Sequence, residues 1–152
     1  TSTFEPTPFI DTNRQKWTRE IDNNLTSIFL SSAEAGKIMR KQKDGGKIVL
    51  FGDSAVDQPY KGKLPYLVAK AGVHALTKIL AIELGPKVFV NCIAPGMVLS
   101  SSEFDKETLK TIIKKSALKR IGSPQDIAHT VIFLLENDYI NGQIIKIDGG
   151  RI

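Results

Sequence analysis

The stretch Lys47–Lys70 reads KIVLFGDSAVDQPYKGKLPYLVAK, and its reading decides the fold. It opens on Lys47-Ile-Val-Leu-Phe51, a short apolar run of strand type. Bounded by turn residues on both sides, such a run predicts a strand buried on both faces. Gly52-Asp53-Ser54 ends it, and residues 54–63 read as a loop. From Tyr66 the pattern becomes helical and continues to Leu84, where Gly85-Pro86 stops it.

Working outward, Asp44-Gly45-Gly46 is a turn before the strand. Upstream of it a helix is expected from about Asn13 to Lys41, with Thr12 and Gln15 as a capping box just after Asp11. Its apolar face would hold Trp17, Ile21, Leu25, Ile28 and Phe29. Residues 1–10, with Pro6 and Pro8, read as a loop. Downstream, Val88–Ile93 is the next strand, broken by Ala94-Pro95-Gly96, and Asp105–Ala117 is a polar helix. Ser123-Pro124-Gln125-Asp126 supplies an N-cap, an N1 proline and an acidic first turn to a helix ending near Asn137. Gln143–Ile147 is the last strand, before Asp148-Gly149-Gly150. Strands alternating with helices predict an α/β fold: a doubly wound parallel sheet with helices on both faces, in a single domain over 1–152. Such sheets bind ligands outside the carboxyl ends of their strands. Those ends are Gly52-Asp53-Ser54 and Ala94-Pro95-Gly96.

Composition agrees with this class. The 152 residues are 41% hydrophobic and 24% charged, which excludes a disordered tail, a collagen-like fibre and a coiled coil. The net charge of +5 comes from scattered lysines, 16 against 5 arginines, without interleaved aromatics. That predicts a solvated face and no nucleic-acid partner. Cys92 alone cannot build a disulfide framework or a Cys-rich zinc site, and it fits a reducing compartment such as the cytoplasm. No apolar run is long enough to span a membrane.

The chemistry-bearing pair is Tyr66 and Lys70, four residues apart on one helix face. A nearby ammonium favours phenolate, so the lysine is expected to lower the tyrosine from its ordinary pKa of about 10 toward neutrality. With 3 Tyr and 16 Lys in the chain, about 0.3 such pairs arise by chance, so the spacing alone is weak. Its surroundings add weight. Asp53 stands thirteen residues before Tyr66 at the end of the strand, Asn24 sits mid-helix upstream, and Pro95-Gly96 leads to Val98 and Ser100. His74 and His129 lack partners at metal spacing and read as packing or surface residues, with no metal site expected.

This ordered set resembles the short-chain dehydrogenase/reductase family along the whole sequence, from its first residues to Asp148-Gly149-Gly150. The resemblance implies a nicotinamide-dependent oxidoreductase. Tyr66 would donate or accept the proton at the reacting atom. Lys70 would lower its pKa and hold the nicotinamide ribose, and Asn24 would seat a relay water. Pro95 and Gly96 would let the backbone approach the nicotinamide, with Val98 and Ser100 at its carboxamide. The expected cofactor is NADP(H), with NAD(H) the alternative. A homotetramer or homodimer is implied, built on helices 13–41 and 66–84 and the last strand, with a small-molecule substrate and no membrane partner.

Two departures matter. The family's usual serine thirteen residues before the tyrosine is Asp53 here, with Ser54 one residue out of register, so either could be the catalytic partner. The Gly-rich phosphate loop and first βαβ units have no counterpart, so the sequence resembles the carboxyl-terminal portion of the fold. Asp53, Gln58-Pro59, Gly62 and Tyr66, with the opening Ser2-Thr-Phe4-Glu-Pro6-Thr7-Pro8, resemble the pteridine reductases in particular. That resemblance assigns Phe4 to stacking on a pterin and Ser2 to a polar contact with pterin or cofactor. The physics is compatible: a flat pterin suits an aromatic face, and its donor edge suits an acceptor-only carboxylate. A carboxyl in a closed pocket can also serve as an acid. Two alternatives stay open: a 3-oxoacyl or other keto reductase or alcohol dehydrogenase using Ser54, and a non-catalytic binding protein on the same scaffold.

Overall fold

The computed structural model describes residues 7–98 and 105–151. A helical rod opens this region: α1 (Arg14–Ile21), a π turn (Asp22–Thr26) and α2 (Ser27–Met39). Then follow β1 (Gly46–Phe51), α3 (Leu64–Leu84), β2 (Val88–Pro95), α4 (Lys106–Lys115), α5 (Pro124–Glu136) and β3 (Ile144–Ile147). The strands form one parallel sheet in the order β1-β2-β3, with Gly46 opposite Val88, Phe51 opposite Ile93, and Cys92 opposite Ile144. The expected α/β architecture, a Rossmann-like parallel sheet, is therefore present.

Pleating sorts the faces. Val88, Val90 and Cys92 point to one side, where they are fully buried against Val73 and Leu80 of α3, with Leu25 and Ile28 packed behind. On the opposite side Lys47 of β1 lies 5.7 Å from the Phe89 ring and reaches the carboxyl end of α5. Its ammonium donates to the carbonyls of Leu135 (2.8 Å) and Asn137 (2.9 Å), and to Asp138. A buried-stem lysine thus closes carbonyls that a helix end leaves unpaired.

Several boundaries differ from expectation, each for a physical reason. The first helix is capped by Asn13, whose side chain accepts from the Lys16 N–H at 3.0 Å, in place of the Thr12–Gln15 box. Its buried stripe is Glu20, Asn24, Ser32 and Gly36, while Trp17 and Phe29 stand 38% and 46% exposed. Small and polar residues let the rod press closely on α3: a Cβ at Gly36 would meet Leu84 at 2.8 Å, and one at Gly72 would meet Leu25 at 2.6 Å. In β1 only Leu50 is buried and Phe51 is 45% exposed, because in this sheet the strand has a neighbour on one side alone. β2 runs on through Pro95, since β3 pairs with it there. Proline tolerates a strand end. α3 starts at Leu64 with Pro65 in its first turn, two residues ahead of expectation.

Candidate active site

The site is built where β1 ends against α3. Asp53 is extended (φ −157°, ψ 134°), and its Oδ1 accepts from the Ala55 N–H at 2.7 Å, capping the short 3₁₀ turn Ser54–Val56. That cap fixes the carboxylate and leaves Oδ2 free to face the helix. There it accepts the Tyr66 hydroxyl at 2.6 Å, the short distance of a charge-assisted O–H···O bond. One turn along α3, Lys70 Nζ donates to the Phe51 carbonyl at 2.9 Å and lies 5.8 Å from the Tyr66 ring centroid. The structure thus brings Asp53, Tyr66 and Lys70 to one strand end.

The electrostatics depart from the expectation for the tyrosine. Burial pushes the Tyr66 phenol well above its ordinary range, and the Asp53 charge and hydrogen bond push it further, followed by Tyr60 and Glu20. Lys70, one turn along, holds its ammonium on the Phe51 carbonyl. Burial in turn lowers Lys70, partly countered by Asp53. The phenol is therefore held neutral, as a donor to Asp53.

Asn24 is buried in the π turn, where the Ser27 N–H reaches back to the Asp22 carbonyl. π turns often mark functional positions. Its Nδ2 donates to the Glu20 carbonyl (3.1 Å) and to Glu20 Oε2 (3.0 Å), so its hydrogen-bonding partner here is Glu20. Ser54, the rival to Asp53, is 3% exposed, and its Oγ has no partner among the described residues. It is Asp53 that meets the tyrosine.

At the end of β2, Gly96 donates its N–H to the Ile147 carbonyl at 2.9 Å, and a Cβ on it would lie 2.8 Å from Asp148 Cα. Close chain packing alone thus requires glycine at 96. Val98 packs near Gly122, whose N–H donates to the Met97 carbonyl at 2.9 Å. Pro95 closes the strand beside them. Phe4, Ser2 and Ser100 lie outside the described residues.

The structure adds residues that sequence reasoning passed over. Glu20 is a buried carboxylate whose only sequence signal is its four-residue spacing from Asn24. Tyr60, in an otherwise unremarkable loop, has its phenol raised by burial and then by Asp53, and Arg151 lies 5.6 Å from its ring. A groove of about 550 Å³ runs beside the site, walled by Phe9, Val56, Pro59, Tyr60, Leu64 and Val68. Asp53, Tyr66 and Lys70 are not among its walls, so it flanks the site. Among the described residues no cluster of side chains could hold a metal ion, and no helix is long and apolar enough to cross a membrane.

A parallel sheet with polar chemistry gathered at a strand's carboxyl end defines a Rossmann-like α/β protein. Residues 2–151 match the family described as enoyl-(acyl carrier protein) reductase. Human dehydrogenase/reductase SDR family member 4 is 34% identical over 148 residues, 93% of this chain and 53% of the relative. A 3-oxoacyl-(acyl-carrier-protein) reductase of Buchnera aphidicola is 35% identical over 146 residues, covering 93% and 59%. Among solved structures, 3-hydroxyacyl-CoA dehydrogenase type-2 from Mycobacterium avium superposes with a TM-score of 0.93 at 26% identity, covering all of this chain and 65% of that one. A short chain dehydrogenase from Bacillus anthracis gives 0.87 at 33% identity, covering 96% and 60%. The chain belongs to the short-chain dehydrogenase/reductase family. It spans 53% to 59% of the length of these two relatives.

Proposed function

We propose that the protein is an NAD(P)H-dependent short-chain reductase, with NADP(H) the favoured cofactor, that reduces a pterin-like C=N bond. The observation that carries this reading is the 2.6 Å bond from Tyr66 to Asp53, with Lys70 one turn away. When bound, the nicotinamide supplies the hydride that goes to the substrate carbon. Tyr66 holds the balancing proton on its hydroxyl, and a neutral phenol is the protonation state that a general acid in the reductive direction needs. Asp53 steadies that proton and offers an acceptor to the donor edge of the heterocycle.

The donor set suits the cofactor. An ammonium has three donors, and Lys70 commits one to Phe51, leaving two for ribose hydroxyls. Pro95, Gly96 and Val98 would lie along the nicotinamide, with Ser100 at its carboxamide. Phe4 would stack on the substrate and Ser2 contact it. Asn24, held by Glu20, would seat a relay water. A homo-oligomer is part of this proposal, supported by the exposed apolar side chains of Phe29, Leu30, Ile79 and Ile82 on the two long helices.

A keto-reductase reading draws support from the 3-oxoacyl-(acyl-carrier-protein) reductase relative and from the buried Ser54 hydroxyl, which has no partner among the described residues. Nicotinamide oxidation by the full-length protein, with dihydrobiopterin and with an acetoacetyl thioester, separates the two. Turnover of dihydrobiopterin is expected. Turnover of the thioester alone overturns the pterin substrate, and turnover of neither leaves a non-catalytic scaffold.

A further inference from the structure

The turn that carries Asp53 is held by a residue outside the tyrosine–lysine pair. Gly52 is buried between Phe51, whose carbonyl accepts from Lys70, and Asp53, whose carboxylate accepts from Tyr66. A Cβ placed on Gly52 would lie 2.3 Å from His74 Nε2, 2.6 Å from His74 Cδ2 and 2.9 Å from Cys92 Sγ. The imidazole edge therefore sits directly on the main chain of Gly52. His74 continues the four-residue interval of Tyr66 and Lys70 along α3, so the three share a helix face. Three consecutive strand-end residues, 51 to 53, are thus held by one stripe of the helix. Nε2 is buried and has no hydrogen-bond partner among the described residues. A buried polar atom in that condition calls for a reason beyond filling space, which an apolar side chain would do without the desolvation cost.

We infer that His74 is a positioning residue of the Tyr66 site: its imidazole edge, seated on Gly52, sets the main-chain path that aims Asp53 at Tyr66 and the Phe51 carbonyl at Lys70. The charged groups around it are Asp53 and Asp57 on the loop after β1, Lys78 on α3 and Lys146 on β3, which pairs with Asp57. Burial holds the imidazole below its usual range and outweighs the two aspartates, favouring the neutral ring that close packing on a backbone demands. The kinetic consequence rests on the reading of Tyr66 as the acid, whereas the geometric one does not.

The test uses the full-length protein and two readouts. The first is the downfield hydroxyl proton of the short Tyr66–Asp53 bond in proton NMR, assigned by its loss in Tyr66→Phe. The second is kcat, with KM for the nicotinamide. His74→Ala is expected to abolish or broaden that resonance and to lower kcat at least tenfold, with KM within threefold of the parent. Gly52→Ala is expected to lose both resonance and turnover. If His74→Ala does not melt cooperatively, His74→Gln is read in its place, with the same broadening expected. A parental resonance in the histidine variant overturns the inference. A parent that reduces neither substrate defeats the functional reading, and the resonance still decides the role of His74.

Discussion

Two serine–aspartate neighbourhoods in this molecule finish in opposite ways. At the start of α5, Asp126 Oδ2 accepts from the Ser123 N–H and from the Ser123 hydroxyl, both at 2.8 Å, and from Arg120 at 3.1 Å. The Asp126 N–H returns a bond to Ser123 Oγ at 3.3 Å. Every partner lies within six residues, and the cluster is closed. At the end of β1, Asp53 caps its own turn with one oxygen and reaches thirteen residues away with the other, while the Ser54 hydroxyl is buried without a partner among the described residues. The closed cluster stabilises a helix start. The open one keeps a proton on a shared bond and polar capacity in reserve, which is the condition chemistry needs.

The sharpest way to break this contrast is Tyr66→Phe. It is expected to cut turnover by about 10² to 10⁴, the usual worth of a positioned acid, while nicotinamide affinity measured by fluorescence stays within a few-fold. Parental kcat would make the open cluster as structural as the closed one. Next in size is Lys47→Met, which strips the ammonium from the carbonyls of Leu135 and Asn137. A loss of about 2 kcal/mol in urea unfolding is expected, since hydrogen bonds to a charged, largely buried group stand at the upper end of the range. The smallest effect belongs to the closed cluster itself. Ser123→Ala should cost about 1 kcal/mol at neutral pH. Arg120, then Ser123, hold the Asp126 carboxyl at about 2, below its usual 3.8. A carboxylate lowered in the fold stabilises above its ordinary range and loses that contribution as pH falls through its folded value. The deficit of Ser123→Ala should therefore narrow between pH 4 and about pH 2, seen as converging thermal midpoints.

The two neighbourhoods also differ in how far sequence reasoning reached them. The α5 cap is local, so Ser123-Pro124-Gln125-Asp126 announces the N-cap, the N1 proline and the acidic first turn, and only the Arg120 contact and the return bond of the capping box come from the structure. The alternation of strands and helices was legible in the apolar pattern, and so were Asp53 and Ser54 as rival neighbours of Tyr66 at the strand end; that Asp53 is the one that meets the phenol depends on the cap it makes to Ala55. The rest depends on tertiary packing. Apolar periodicity puts Trp17, Ile21, Leu25, Ile28 and Phe29 on the inner face; Leu25 and Ile28 do pack on the core, but Trp17 and Phe29 are exposed and the fully buried positions are Glu20, Asn24, Ser32 and Gly36, where close approach to α3 selects small and hydrogen-bonded residues. The Tyr66 phenol moves up where the lysine spacing suggests down, because spacing reveals neither the burial of the phenol nor its bond to Asp53. His74 reads as bland for the same reason: its contact is with a glycine, which leaves no side-chain pattern to notice.

The widened turn at Asp22–Thr26 gives the rod a tolerance of chain length. It takes up one more residue than a regular turn would need. Deleting one residue there would restore ordinary winding and leave the helix on either side near its present phase, because the wide turn is what absorbs the surplus. The ends of the rod would keep their faces toward α3, and the local setting of Asn24, which sits inside the widened turn and leans on Glu20, would be lost.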